Sequence, residues 1–377
     1  MRFLAFIALA CFPAFAEEAR PAPAETLASA VDARIAQSET AGCIAVGLVG
    51  EKNETFFACT PGAGPLKLDV HSIFEIGSIS KGFTGLVLAD MVRKGELSLD
   101  DPASKYARPG AKLPDGPPIT LRDLVTQTSG LPRMPPVFKP GNQRDPYVDF
   151  TDDTLYEALA KTELANAKPY QYSNFGFMWL SDLLGRRAGK PYEQLVRERV
   201  FEPLGLKETG FVLTPEQDKR FVQGHNMAYA PVAHWNFAPG LGGVGAIRSS
   251  LADMMVLAAA LAGRIDTPLK DTIALALKPM RPRGPKEATG FAWITFDSGG
   301  ASIRWHNGRT GGFATMIAVN SATRTAAVVL SDSNTSFDDL ALHLVDSRLP
   351  MKRKRADGVT LEQGGRELKG KRAAAAH

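Results

Sequence analysis

FEIGSISKGFTGLVLADMV, residues 74–92, decides how the rest of the chain is read. Phe83, Leu86, Val87 and Met91 recur at helical spacing, which puts Ser78 at or near the start of a helix. Lys81 lies one turn further on, so its amine and the Ser78 hydroxyl share a face. A serine hydroxyl is a weak nucleophile until a neighbouring base takes its proton. A lysine half sunk in a helix start loses charge stabilisation, and its pKa falls toward values useful for proton transfer. The helix start also supplies unpaired backbone N–H groups where an oxyanion can form. This is the only S-x-x-K in the chain.

Two further stretches carry groups that fit such a nucleophile. Tyr172-Ser173-Asn174, within PYQYSNFGF, is the only Y-x-N. Beside a lysine the deprotonated phenol is expected to be favoured, and it can accept or return a proton. The Asn174 amide is expected to hold both Lys81 and a substrate carbonyl. Further on, Trp305-His306-Asn307-Gly308-Arg309-Thr310-Gly311-Gly312-Phe313 reads as a strand edge ending in glycines, which lets a substrate backbone approach closely.

FEIGSISK resembles the nucleophile motif of class C β-lactamases and their relatives, the penicillin-recognising serine hydrolases. Tyr172-Ser173-Asn174 looks like their second motif. The third departs from the family: His306-Asn307-Gly308 stands where Lys-Thr-Gly is usual, followed by a similar Thr-Gly-Gly-Phe. The resemblance implies that Ser78 attacks an acyl carbon while Lys81 and Tyr172 manage its proton, with the base left open between them. It implies an oxyanion hole from the backbone N–H groups of Ser78 and Arg309. Asn174 would orient the substrate, and His306 with Asn307 and Gly308 would line its far side. Histidine is mostly neutral at pH 7. Carboxylate recognition is therefore expected to be weaker or pH-dependent, and His306→Lys to improve turnover of carboxylate-bearing substrates. No cofactor or metal is implied.

The 377 residues divide into an address, a body and a tail. Residues 1–16 read as a cleavable signal: Arg2, an apolar run from Phe3 to Phe12, and Ala14-Phe15-Ala16 before Glu17. That run is too short to span a bilayer, and a periplasmic or secreted protein is expected. Residues 350–377 form a basic tail that reads as disordered. The tail contributes +5 and Arg2 +1 to the net charge of +4, which leaves the body at −2. A weak contact of the tail with an anionic envelope surface is one reading; a solvated charge run is the other. No aromatic-interleaved basic stretch or zinc spacing suggests nucleic-acid binding. Cys43 and Cys59 flank a candidate hairpin around Glu51-Lys52-Asn53. A turn centred there would not place them opposite one another, so the disulfide stays open.

Leu27, Val31 and Ile35 predict an amphipathic helix over 25–38, followed by strands at 43–50 and 55–59. Residues 100–265 read as mainly helical. Thr120 with Asp123, and Ser250 with Asp253, carry capping-box patterns. Strands are expected at 291–296, 301–305, 313–320 and 325–330, with a covering helix near 340–345. The expected architecture is thus α/β (α+β) and β-lactamase/transpeptidase-like: one catalytic domain over 17–349. Its antiparallel sheet comes from both chain ends (25–75 and 266–349), with a helical lobe (76–265) inserted. Gly240 to Gly245 fits G-x-G-x-x-G, but HWNFA and Pro239 precede it instead of a buried strand, so a dinucleotide site is rejected. The nucleophile motif points first to β-lactam hydrolysis through a Ser78 acyl-enzyme. The alternatives are a D-alanyl-D-alanine carboxypeptidase or endopeptidase, a β-lactamase-like esterase, and a non-turnover sensor of penicillins or muropeptides.

Overall fold

The computed structural model describes residues 26–64, 66–136, 138–164 and 168–351. The signal-like segment and nearly all of the basic tail lie outside the described residues. Among the described residues, ten strands form two antiparallel sheets. They are β1 (Cys43–Val49), β2 (Glu54–Cys59), β3 (Ile73–Glu75), β4 (Arg248–Ser250), β5 (Arg281–Gly284), β6 (Glu287–Thr289), β7 (Ile294–Ser298), β8 (Ala301–Arg309), β9 (Ala314–Asn320) and β10 (Thr325–Ser331). The large sheet runs β2-β1-β10-β9-β8-β7-β6-β5, so a hairpin from one end of the chain docks on strands from the other. The pair β3-β4 stands apart and leads into the Ser78 turn.

Both faces of the sheet are covered, which is why β1 and β10 read as continuous apolar runs instead of alternating ones. Ile44, Val46, Met316, Ala318 and Val329 pack with the helices Leu27–Ile35 and Asp338–Val345. Ala45, Val49, Ile317, Val319 and Val328 face the larger core, which holds the helices between the sheet's two halves. At its centre lies the helix Ser80–Arg93, twelve of whose fourteen residues are buried. A helix buried on nearly every side has little solvent face to offer, so it forms the middle of the core.

Several sequence expectations shift. The strand placed at 291–296 starts at Ile294, because Ala292 has a φ of +70° and a turn, with Gly290 N–H bonded to the Trp293 carbonyl, precedes it. Arg281–Gly284 and Glu287–Thr289, too short and polar to show strand periodicity, extend the far edge. Thr120 and Asp123 form a full capping box. Ser250 caps its helix by accepting from Asp253 N–H, but the Asp253 carboxylate accepts from Glu208 N–H and the Thr209 hydroxyl instead.

The hairpin register also corrects an expectation. Leu48 pairs with Glu54 and Cys43 with Cys59, so the turn centres on Glu51 and the cysteines lie directly opposite. They are joined as a disulfide, with their Cα atoms 4.0 Å apart. It closes a loop of sequence separation 16. Such a loop predicts that Cys43→Ser/Cys59→Ser costs about 3 kcal/mol of stability, measurable by chemical denaturation against the oxidised parent.

Candidate active site

Ser78 sits in a short 3-10 turn, Gly77–Ile79, which feeds directly into the buried helix. Two glycines let this turn approach β8. A Cβ on Gly77, whose φ is +50°, would lie 2.6 Å from the Arg309 backbone nitrogen. A Cβ on Gly308 would lie 1.9 Å from the Ile76 carbonyl oxygen. The same carbonyl accepts from the Thr315 hydroxyl at 2.9 Å. The backbone of Ser78 is thereby held beside that of Arg309, the geometry in which two N–H groups can converge on one oxygen.

Lys81 is fully buried one turn further on. Its Nζ lies 2.8 Å from Ser78 Oγ and donates to the Val244 carbonyl at 2.6 Å. Burial, reinforced by the Arg133 guanidinium, drives its pKa well below the usual lysine value. The Val244 carbonyl comes from the glycine-rich stretch rejected as a dinucleotide site, which forms the tight turn Gly242–Val244. The Thr84 hydroxyl anchors that turn by bonding the Gly243 carbonyl at 2.8 Å and the Tyr192 hydroxyl at 2.7 Å. Asn174 does not hold Lys81 as expected, because the Val244 carbonyl occupies that role. Instead Asn174 Nδ2 contacts Met134 Sδ at 3.4 Å, while its Oδ1 is buried without a protein partner.

Tyr172 joins the same cluster from the segment before the helix Asn174–Ala188. Gln127 fixes that segment: its carbonyl accepts from Gln171 N–H at 2.8 Å, and its side-chain Oε1 from Ser173 N–H at 2.6 Å. The Tyr172 ring lies 5.0 Å from Lys81 Nζ and 5.1 Å from the Arg133 guanidinium. The phenol is not biased toward its anion as anticipated. Burial raises its pKa, and the hydrogen bond with Ser78 and the Arg133 charge only partly oppose this.

His306 also departs from expectation. It is 2 % exposed, does not line the cavity, and bonds through Nδ1 to the Asn307 carbonyl at 2.7 Å. Burial, with repulsion from Lys81 and Arg283, pushes its pKa down to about 3. It is therefore neutral across the physiological range and brings no pH-dependent charge near pH 7. Asn307 lines the cavity, and its Nδ2 donates to the Asp338 carboxylate at 2.7 Å. Gly308 supplies close approach, and Arg309 lines the rim.

These groups surround a cavity of about 700 Å³. β7 begins opposite Trp305, so the Asn307–Arg309 stretch of β8 is not covered by β7. One wall is aromatic: Tyr147 stacks on Phe237 at 4.5 Å and meets Trp235 at 5.2 Å. Arg133 and Arg283 also line it, with the Arg283 guanidinium lying against Tyr170 and Trp305. Asn174 Oδ1, Arg283 Nε, Trp305 Nε1, Thr310 Oγ1 and Asn334 Oδ1, on residues that line this cavity, are buried without a protein hydrogen-bond partner. Sequence reasoning missed the arginines and the aromatic wall. Among the described residues no group of His, Cys, Asp and Glu is arranged to hold a metal, and no helix is long and apolar enough to cross a membrane.

A family model described as Beta-lactamase matches residues 28–348. The chain is 38% identical over 190 residues to the D-alanyl-D-alanine-carboxypeptidase/endopeptidase AmpH of Escherichia coli K12, covering 49% of this chain and 47% of AmpH. It is 31% identical over 156 residues to a β-lactamase of the same strain, covering 41% and 39% respectively. The chain thus spans about half or less of the length of these two relatives. A β-lactamase/D-alanine carboxypeptidase from Yersinia pestis superposes with a TM-score of 0.72 at 24% identity, over 85% of this chain and 96% of that one. A class C β-lactamase from Rhodobacter sphaeroides gives 0.72 at 21%, over 86% and 97%. These two structures share the fold.

The His306 environment reverses the expectation drawn from the sequence. A lysine at 306 would bury a second amine near Lys81 and Arg283. His306→Lys is expected to lower the rate of acylation by a fluorescent penicillin at least about tenfold at pH 7, and to lower the melting temperature as well.

Proposed function

The chain belongs to the β-lactamase family of serine hydrolases, and from that premise we propose that it hydrolyses D-alanyl-D-alanine peptides through an acyl-enzyme on Ser78. The observation that carries the reading is the 2.8 Å contact between Ser78 Oγ and the buried, pKa-lowered Lys81 amine. A neutral amine at that distance takes the hydroxyl proton as Oγ attacks the acyl carbon. The Ser78 and Arg309 N–H groups receive the developing oxyanion. The C–N bond then breaks, and the leaving nitrogen receives a proton by way of Lys81 and Tyr172. Water completes the cycle by cleaving the ester, which releases the carboxylate and restores Ser78. With its raised pKa, Tyr172 acts as the proton donor and Lys81 as the base.

The peptide reading is supported by the similarity to AmpH and by a large cavity with aromatic and guanidinium walls. The guanidinium groups of Arg133 and Arg283 replace the charge that His306 does not supply, and would attract a terminal carboxylate. β-Lactam hydrolysis is the second reading, favoured by the nucleophile motif and the similarity to a β-lactamase. A β-lactam presents the same acyl carbon to Ser78. The lifetime of the acyl-enzyme distinguishes the two: a persistent penicillin adduct fits a peptidase, and rapid turnover fits a lactamase.

Ser78→Ala is expected to abolish covalent penicillin labelling seen by intact-protein mass spectrometry; an adduct surviving on that variant would exclude Ser78 as nucleophile. Lys81→Met is expected to reduce acylation by about 10²–10⁴-fold. In the parent, acylation should be lost as pH falls through the lowered Lys81 pKa, because protonation removes the base. The pH profile of acylation checks this.

A further inference from the structure

Packing alone does not hold the aromatic wall. Trp235 and Phe237 line two cavities, the one at Ser78 and another of about 300 Å³, so they form a partition with space on either side. A side chain with open space behind it lacks the contacts that would fix it there. Hydrogen bonds to the backbone supply the constraint. Trp235 N–H donates to Glu75 Oε1 at 2.6 Å, and Asn236 N–H to Asp145 Oδ1 at 2.7 Å. Asn236 Nδ2 donates to Asp145 Oδ2 at 2.8 Å, so Asp145 grips that residue with both oxygens. Arg248 completes the clamp, donating to the Trp235 carbonyl at 3.1 Å and to Asn236 Oδ1 at 2.9 Å.

Each partner comes from an element that the site already uses. Glu75 lies in β3, just before the Ser78 turn, and pairs there with Arg248 of β4. Asp145 shares a loop with Tyr147. One cluster thus ties the nucleophile strand to both loops that make the wall. Glu75 and Asp145 are buried, and buried carboxylates are costly unless they are bonded and their charge is offset. Arg248 supplies the opposite charge and is attracted to both.

We propose that Asp145, Asn236 and Arg248 are positioning residues that hold Trp235 and Phe237 as a fixed plane for a flat, apolar part of the acyl group, and so set acyl-side specificity. This rests on the acyl-enzyme reading above, in which Arg133 and Arg283 draw the carboxylate of the departing residue and leave the aromatic wall to the acyl side. A ring laid on this plane gains stacking and apolar burial, and the gain is largest when the plane does not have to be ordered first.

The test uses the full chain and compares benzylpenicillin, whose acyl side carries a phenyl ring, with the aminopenicillanic acid nucleus that lacks it. Rates of Ser78 acylation are read by intact-protein mass spectrometry. The parent is expected to favour the phenyl-bearing compound by at least about tenfold. Asp145→Asn sets donor against donor at Asn236, and Asn236→Asp sets carboxylate against carboxylate. Each is expected to cut the preference at least about fivefold, as is Trp235→Ala. The swap Asp145→Asn/Asn236→Asp restores complementary pairing and should return the preference to within about twofold of the parent. In the two single variants and the swap, acylation by the bare nucleus should stay within about twofold of the parent, which also reports a folded Ser78 site. A merely structural role would lower both rates together, and that result overturns the inference. So does a preference that is unchanged in the single variants, not restored by the swap, or absent from the parent. If neither compound acylates the parent, the acyl-enzyme reading falls, and this inference with it.

Discussion

An amine without water organises this protein. Lys81 is enclosed on all sides, and an ammonium ion there would carry a desolvation cost that a single carbonyl and a hydroxyl do not offset. The group instead gives up its proton readily and becomes a base beside Ser78. Many of the surrounding features serve to keep that arrangement in place. The Ser80–Arg93 helix is buried on nearly every side, and it carries Lys81 into the middle of the core. The Gly242–Val244 turn is anchored through Thr84 so that one carbonyl reaches the amine. Arg133 adds a fixed positive charge that further disfavours protonation.

Tyr172 responds to the same enclosure in the opposite chemical sense. Desolvation disfavours whichever form is charged, so it lowers an amine and raises a phenol. Two neighbours in one crowded site thereby become a ready acceptor and a reluctant acid, a division of labour that needs no pre-formed ion pair. His306 extends the rule: buried near Lys81, it stays neutral where a more exposed imidazole would titrate near pH 6.5.

The nucleophile helix and the two-ended sheet were legible because their signals are local or simply periodic. Ser78 and Lys81 lie within one turn, and CIAVGLV and TAAVVL are apolar runs of strand length. What sequence could not show were contacts between distant loops. The Val244 carbonyl reaches Lys81 across 163 residues, and nothing in GLGGVG marks that carbonyl as its partner. Tyr147, Trp235 and Phe237 form one wall only because two long loops meet. The Tyr172 expectation failed for a related reason: proximity to a lysine was legible, but the burial that decides the sign was not. The hairpin register turned on a shift of about one residue, which is enough to change which side chains face each other.

Pairing between the two ends of the chain has a consequence for biosynthesis. Ile44 pairs with Ala58 in its own hairpin and with Ser331 on its other side, so the CIAVGLV strand emerges from the ribosome nearly three hundred residues before its second neighbour. Until then its hairpin keeps one bare edge, rich in β-branched and aliphatic side chains, exposed to any passing chain. Contacts of such long range slow assembly, because the entropy of closing the loop is lost before the strand pairing compensates. Delivery of the finished polypeptide to a chaperone, before the last strand docks, would protect the nascent molecule from sticking to its siblings.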